Sequence, residues 1–89
     1  MGADEEIYER IKLILSKVFK IDSALIREDA NLENDLGLDS IELMDAISFT
    51  EAEFKIKIVK KGAVNTQFPI TVRDLVAIVG QKLKETVRR

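Results

Sequence analysis

The chain has 89 residues, 46% apolar and 34% charged, which specifies a single globular domain, residues 1–89, rather than a disordered segment. It contains no Cys and no His, which excludes thiol nucleophiles, disulfides, thiolate or imidazole metal sites and imidazole acid–base catalysis. The net charge of −2 hides an asymmetry: residues 1–54 carry 14 acidic and 5 basic side chains, residues 55–89 carry 2 and 9, and a −9 half beside a +7 half suits cationic partners on one side of the molecule.

The first residues, Met1-Gly2-Ala3-Asp4-Glu5-Glu6, have neither the basic stretch nor the apolar run of a secretory signal. Glu6 stands where N-myristoylation wants Ser or Thr. No run approaches the ~20 apolar residues of a membrane span. The expectation is a soluble, cytoplasmic protein with no stable membrane insertion.

Asp4 to Phe19 reads as a helix, with Ile7, Ile11, Ile14, Leu15 and Val18 on one stripe of a 3.6-residue period. Asp4 can cap it, and Glu5 and Glu6 suit the positive end of its dipole. Ile21 to Leu38 shows no sustained period but carries six apolar anchors: Ile21, Leu25, Ile26, Leu32, Leu36 and Leu38. A connection this long signals a function or a short helix within it, and Asp22-Ser23-Ala24-Leu25 can nucleate one turn. Asp39 to Phe54 is the second helix. Asp39 or Ser40 caps it, with Glu42 completing a capping box. Ile41, Met44, Ile47 and Phe54 form its stripe, flanked by Ala46 and Phe49, and Gly37 permits the sharp turn before it.

Phe54-Lys55-Ile56-Lys57-Ile58 alternates with period 2, but no second alternating run exists to pair with it, so it reads as extended chain leaving the helix. Gly62 and Pro69 punctuate the segment beyond Ile58. Thr71 to about Val87 is the last long helix, with Thr71 as cap, Asp74 three positions on, and a stripe of Val72, Leu75, Val76, Val79 and Leu83. Gly80 within it costs roughly 1 kcal/mol relative to Ala. The fold class is therefore all-α: a small bundle of three main helices, a long first loop, and a short or irregular third segment.

Enzyme templates find no match. The four glycines, at 2, 37, 62 and 80, never cluster into a phosphate loop, and there is no G-x-S-x-G elbow or His-based triad. The segment that stands out is Asp35-Leu36-Gly37-Leu38-Asp39-Ser40-Ile41-Glu42. It places a serine at a helix N-terminus, after a glycine turn, where free N–H groups and the dipole favour a phosphate. The bland alternative is an ordinary capped helix, since Ser and Asp open most helices. A second alternative is a calcium loop over Asn31 to Glu42, with oxygen donors Asn31, Glu33, Asp35, Asp39 and Glu42 at suitable spacing. Against it, Leu36 occupies the position that demands glycine, and three leucines make the run apolar. No metal ligands are assigned.

Asp35-Leu36-Gly37-Leu38-Asp39-Ser40-Ile41-Glu42-Leu43-Met44-Asp45 resembles the phosphopantetheine attachment motif of acyl carrier proteins. The flanking order is similar as well: a helix, a long loop, the motif, an acidic helix, Phe-x-Ile-x-Ile, then Ile-Thr-Val-x-Asp-Leu before a final helix. The resemblance implies that Ser40, with Asp39 as its neighbour, receives a 4′-phosphopantetheine arm from coenzyme A through a phosphopantetheinyl transferase. The arm then carries acyl groups as thioesters, which gives a cysteine-free chain its thiol chemistry. The domain would be a carrier and not an enzyme.

The same resemblance implies that Leu38, Ile41, Glu42, Met44 and Asp45 form the surface that partners grip, continued by Glu51 and Glu53. Those partners would be acyl-transferring or synthase enzymes with basic docking patches, not nucleic acid, which the −9 half repels. It also implies that Leu32, Ile47, Ile58 and Ile70 line an acyl cavity, where each buried methylene gains about 0.8 kcal/mol. The chain is expected to act as a monomer in fatty acid, lipid or specialised acyl-transfer metabolism. The pattern departs from the family after Ile58, where Val59-Lys60-Lys61-Gly62-Ala63-Val64-Asn65-Thr66-Gln67-Phe68-Pro69 replaces an acidic third helix. It departs again at Phe49 and Thr50, where a small and a large apolar residue are usual. These departures point to a specialised member. The competing class is a helical interaction module that keeps the acidic helix without a cofactor.

Overall fold

A computed structural model describes residues 3–58 and 69–87. The segment in which the sequence places the short or irregular third element, 59–68, lies outside the described residues. Three α-helices are present among them, α1 (Ala3–Lys17), α2 (Ser40–Phe54) and α3 (Val72–Val87), with a 3₁₀ turn at Ser23–Leu25 between the first two. The described residues form no strand, only one isolated antiparallel bridge between Asn31 and Thr71.

Ile7, Ile11 and Leu15, each four residues apart, are the buried ridge of α1. The helix already includes Ala3, so Asp4 lies within the first turn beside Glu5 and Glu6 instead of capping it. It also stops two residues before the expected end at Phe19. Lys20 adopts φ 59°, and Ile21 N–H turns back to the Leu15 carbonyl at 3.2 Å. This left-handed residue closes the helix end, and Val18, expected on the buried stripe, is left 43% exposed.

The first loop is a structured crossing of the core. Asp22 caps the 3₁₀ turn by accepting the Ala24 N–H at 3.0 Å. The Tyr8 hydroxyl donates to the Ile26 carbonyl at 2.6 Å, which ties α1 to the loop. Further on, Leu32 N–H donates to Ile70 O, Val72 N–H to Ala30 O and Arg73 N–H to Glu28 O, all within 3.0 Å. The loop thus satisfies backbone groups at the start of α3 that a helix end leaves free. Of the six expected anchors, Ile26, Leu32, Leu36 and Leu38 are buried, while Ile21 is half-buried and Leu25 is exposed.

α2 buries Leu43, Ala46, Ile47 and Thr50. This differs from the expected stripe, because Ile41 and Met44 face solvent and Phe49 is 46% exposed. Apolar residues occupy both faces of this helix, so periodicity alone could not choose between them. The choice follows from burial of Leu36 and Leu38 just upstream, which sets the angle at which α2 starts. Phe49 is held edge-on to Phe19 with ring centroids 6.0 Å apart. Arg10 fastens α1 to the far end of α2, through a 2.7 Å bond to Glu53 and a guanidinium 5.8 Å from the Phe54 ring centre. Lys55 then ends α2 in a left-handed conformation, and Ile56 and Ile58 bury as the chain leaves without forming a strand.

In α3, Val72, Leu75, Val76 and Val79 are buried and Leu83 packs half-buried against them. Gly80 faces the start of α1, and a Cβ there would lie 3.3 Å from Asp4 Oδ1 and 3.7 Å from Ile7 Cδ1.

The N-terminus of α3 carries a reciprocal cap. Asp74 N–H donates to Thr71 Oγ1 at 3.2 Å, and Asp74 Oδ2 accepts the N–H groups of Ile70 and Thr71 at 3.0 and 3.1 Å. The Ile70 and Thr71 amides hold the Asp74 carboxyl below its ordinary value of 3.8. A carboxyl whose pKa is lower folded than unfolded adds stability above the unfolded value, and loses it as pH falls through the folded one. Between pH 5 and pH 2, the urea midpoint of wild type is therefore expected to fall more steeply than that of Asp74→Asn; parallel curves would count against this cap.

Candidate functional site

The segment from Asn31 to Gly37 builds the platform on which α2 starts. Asn31 Oδ1 accepts the N–H groups of Glu33 and Asn34 at 3.0 and 2.8 Å, and Asp35 Oδ2 accepts the Asn31 N–H at 2.7 Å. These bonds are the self-capping of a tight turn. They occupy two of the oxygens that the calcium alternative requires, and no group of three or more acidic side chains among the described residues is placed to hold a metal ion. Gly37 follows with φ +76°, a left-handed conformation that costs a side-chain-bearing residue energy. It swings the chain so that Leu36 and Leu38 bury while the next residues emerge.

Asp39, not Ser40, caps α2. Its Oδ1 accepts the Glu42 N–H at 2.8 Å, and Glu42 Oε1 accepts the Asp39 N–H at 3.2 Å, a complete capping box. Ser40 is the first residue of the helix, exposed, and its hydroxyl makes no hydrogen bond with any described group. The capping role that competes for this serine is therefore filled by its neighbour. The Ser40 hydroxyl stands at the positive end of α2, where a phosphate ester is favoured by dipole and free N–H groups.

Around it, Ile41 (74% exposed), Met44 (40%), Glu42 and Asp45 form one exposed face with both apolar and acidic character. Three residues expected on that face are placed elsewhere. Leu38 is buried at 4% and helps seat the turn. Glu51 is half-buried and accepts the Ile58 N–H at 2.7 Å, which holds the chain leaving α2. Glu53 is bound to Arg10 of α1. A carboxylate that can turn toward its own chain is not distinguishable by sequence from one that faces a partner.

Leu32, Ile47 and Ile58, expected to line an acyl cavity, are buried in one core cluster. Ile70 is not with them. It is 63% exposed, and only its backbone is fixed, through Leu32 and Asp74. It lies on the rim of a surface cleft of about 210 Å³ that also touches Asn31, Glu33, Asn34, Leu43 and Pro69. Leu43 is a site residue that the sequence pattern did not single out. It is three residues beyond Ser40 and four before Ile47, a spacing that puts it between the serine and the core.

The family described as "Phosphopantetheine attachment site" matches residues 9–59. Acyl carrier proteins are among the similar proteins. The one from Thermotoga maritima is 34% identical over 83 residues, 93% of this chain and 99% of its own. That of Guillardia theta is 34% identical over 55 residues, 62% of this chain and 68% of its own. That of Prochlorococcus marinus is 30% identical over 80 residues, 90% of this chain and 96% of its own.

Proposed function

Because this chain belongs to the acyl carrier protein family, with 4′-phosphopantetheine as its prosthetic group, we propose that the arm is attached through the Ser40 hydroxyl. The observation that carries the assignment is the division of labour at the start of α2: Asp39 does the capping, and Ser40 is left exposed with nothing else to do. The neighbouring groups fit a phosphodiester at this place, with the open N-terminus of α2 on one side and solvent on the other. When bound, the arm supplies the thiol on which acyl groups ride. The chain's own residues position it, present Ile41, Met44 and Asp45 beside it, and keep an apolar core within reach.

Members of the family are carriers rather than catalysts and work with transferase and synthase enzymes. For this chain, the partners are read as enzymes with basic patches that face Glu42 and Asp45. The basic half that starts at Lys55 supports a specialised member, serving a dedicated lipid or secondary acyl-transfer pathway, over a housekeeping one.

The test is modification itself. Incubated with coenzyme A, magnesium and a promiscuous phosphopantetheinyl transferase, the protein is expected to gain the mass of one arm, mapped by peptide fragmentation to Ser40. No gain, or a gain mapped elsewhere, would overturn the assignment. The docking face has its own check. Asp45 bonds to no described group, so Asp45→Lys changes charge without disturbing the capping box. It is expected to slow modification roughly three- to tenfold at low salt, and less at 0.5 M salt, where screening shortens the reach of charges. An unchanged rate at both salt concentrations would place the docking face elsewhere.

A further inference from the structure

Phe49 is a large aromatic side chain left 46% exposed on α2. Its ring is fixed rather than loose, standing edge-on to Phe19 just past the end of α1, with planes at 89°. Val18, next to Phe19 in the chain, is exposed as well. Two elements thus meet in an apolar seam that the fold covers only in part. A single exposed apolar residue needs no explanation, but this one adjoins Ile41 and Met44, which are exposed on the same helix.

The seam continues the docking face. Ile41, Asp45 and Phe49 are all exposed and follow one another at spacings of four, so they run along one side of α2. Phe49 stands one turn, about 6 Å, beyond Asp45. A stable partner covers roughly 800 Å² of each protein, a patch about 30 Å across, so one that grips Ile41 and Asp45 reaches Phe49 too. We infer that the Phe19–Phe49 seam is the apolar end of the surface that receives the phosphopantetheinyl transferase, which brings a basic group to Asp45 and an apolar pocket to Phe49. The inference rests on attachment at Ser40. The transferase is the occupant because it must bring its catalytic groups to the Ser40 oxygen itself and so sits against α2. An enzyme that acts on the thiol works an arm's length away and need not. A rigid aromatic ring is the kind of side chain that anchors such an interface, since little freedom is lost when it is covered. Lys17 and Lys20, exposed on either side of Phe19 in the chain, repel the partner's basic groups and keep them on the Asp45 side.

The experiment follows modification of wild type, Phe49→Ala, Phe49→Gln and Phe49→Leu by a promiscuous phosphopantetheinyl transferase, at low salt and at 0.5 M salt. Phe49→Ala and Phe49→Gln are expected to lower kcat/KM about fivefold, the worth of the half of an aromatic side chain still to be buried. The loss falls on KM, and Phe49→Leu, which stays apolar, is expected within twofold of wild type. It is also expected to be the same at both salt concentrations, because apolar burial is not screened, whereas the loss in Asp45→Lys shrinks. Rates of Phe49→Ala and Phe49→Gln equal to wild type would place the seam outside the docking surface. A loss carried by kcat with KM unchanged would mean that Phe49 acts through the fold and not by contact, and would overturn the inference. So would sedimentation of wild type as a dimer that Phe49→Gln separates, since a second copy would then cover the seam. If wild type itself gains no arm at Ser40, the attachment reading fails and the inference falls with it; if wild type gains the arm and the variants match it, only the inference fails.

Discussion

Ser40→Ala is expected to abolish the gain of one phosphopantetheine arm completely while leaving stability within about 0.5 kcal/mol of wild type, as for an exposed substitution that touches no special feature. The two halves of this expectation come from one arrangement. Ser40 is exposed and its hydroxyl bonds to no described group, so its removal takes nothing from the fold, and alanine is a good residue inside a helix. The capping box stays intact because Asp39 and Glu42 make both of its bonds. Intact mass after incubation with coenzyme A and a transferase reads the first half, and urea unfolding reads the second.

Asp39→Ala provides the complement. It removes the acceptor for the Glu42 N–H and is expected to cost about 1 kcal/mol, while the nucleophilic hydroxyl remains. If Ser40→Ala were the destabilising variant and Asp39→Ala the silent one, the assignment of the cap to Asp39 would be overturned. If Ser40→Ala still gained the arm, the site would lie elsewhere.

The sequence carries the Asp39–Ser40 pair and its glycine turn, but it does not say which of the two caps. Both residue types favour that position, and only the bond directions separate them. The helices were legible for a different reason. α1 and α3 each have one apolar stripe, so their buried faces could be read from the period. α2 has apolar residues all round, and its register was decided from outside, by how Leu36 and Leu38 enter the core. The same limit explains Val18 and Ile70. Val18 continues an apolar stripe and Ile70 was expected in the cavity from the resemblance, yet one lies at a helix stop closed by Lys20 and the other has only its backbone held. Hydrophobicity states a preference for burial, while left-handed residues and loop bonds determine whether the chain can satisfy it.

The loop between α1 and α2 is where that distinction has its largest energetic consequence. Leu32→Ala is expected to destabilise the domain by about 3 kcal/mol, within the 2–5 kcal/mol of large-to-small core substitutions. For a domain of this size that lowers the thermal midpoint by roughly 12–24 °C. Leu32 is 1% exposed, and its own backbone is a junction: its N–H donates to Ile70 O at 2.9 Å and its carbonyl accepts the Leu38 N–H at 3.1 Å. Its side chain anchors the turn that aims Ser40 outward, on the side where the loop meets the start of α3. Stability and presentation of the attachment site are therefore coupled through one leucine.

Leu25, an apolar residue of the same loop that is 54% exposed, is the internal control, and Leu25→Ala is expected to change stability by less than about 0.5 kcal/mol. Thermal unfolding of the two variants side by side decides the matter. Equal small losses would mean that the loop is not a core element, and equal large losses would mean that Leu25 is buried. A loop that crosses the core and seats the helix bearing the serine requires a large loss at Leu32 alone.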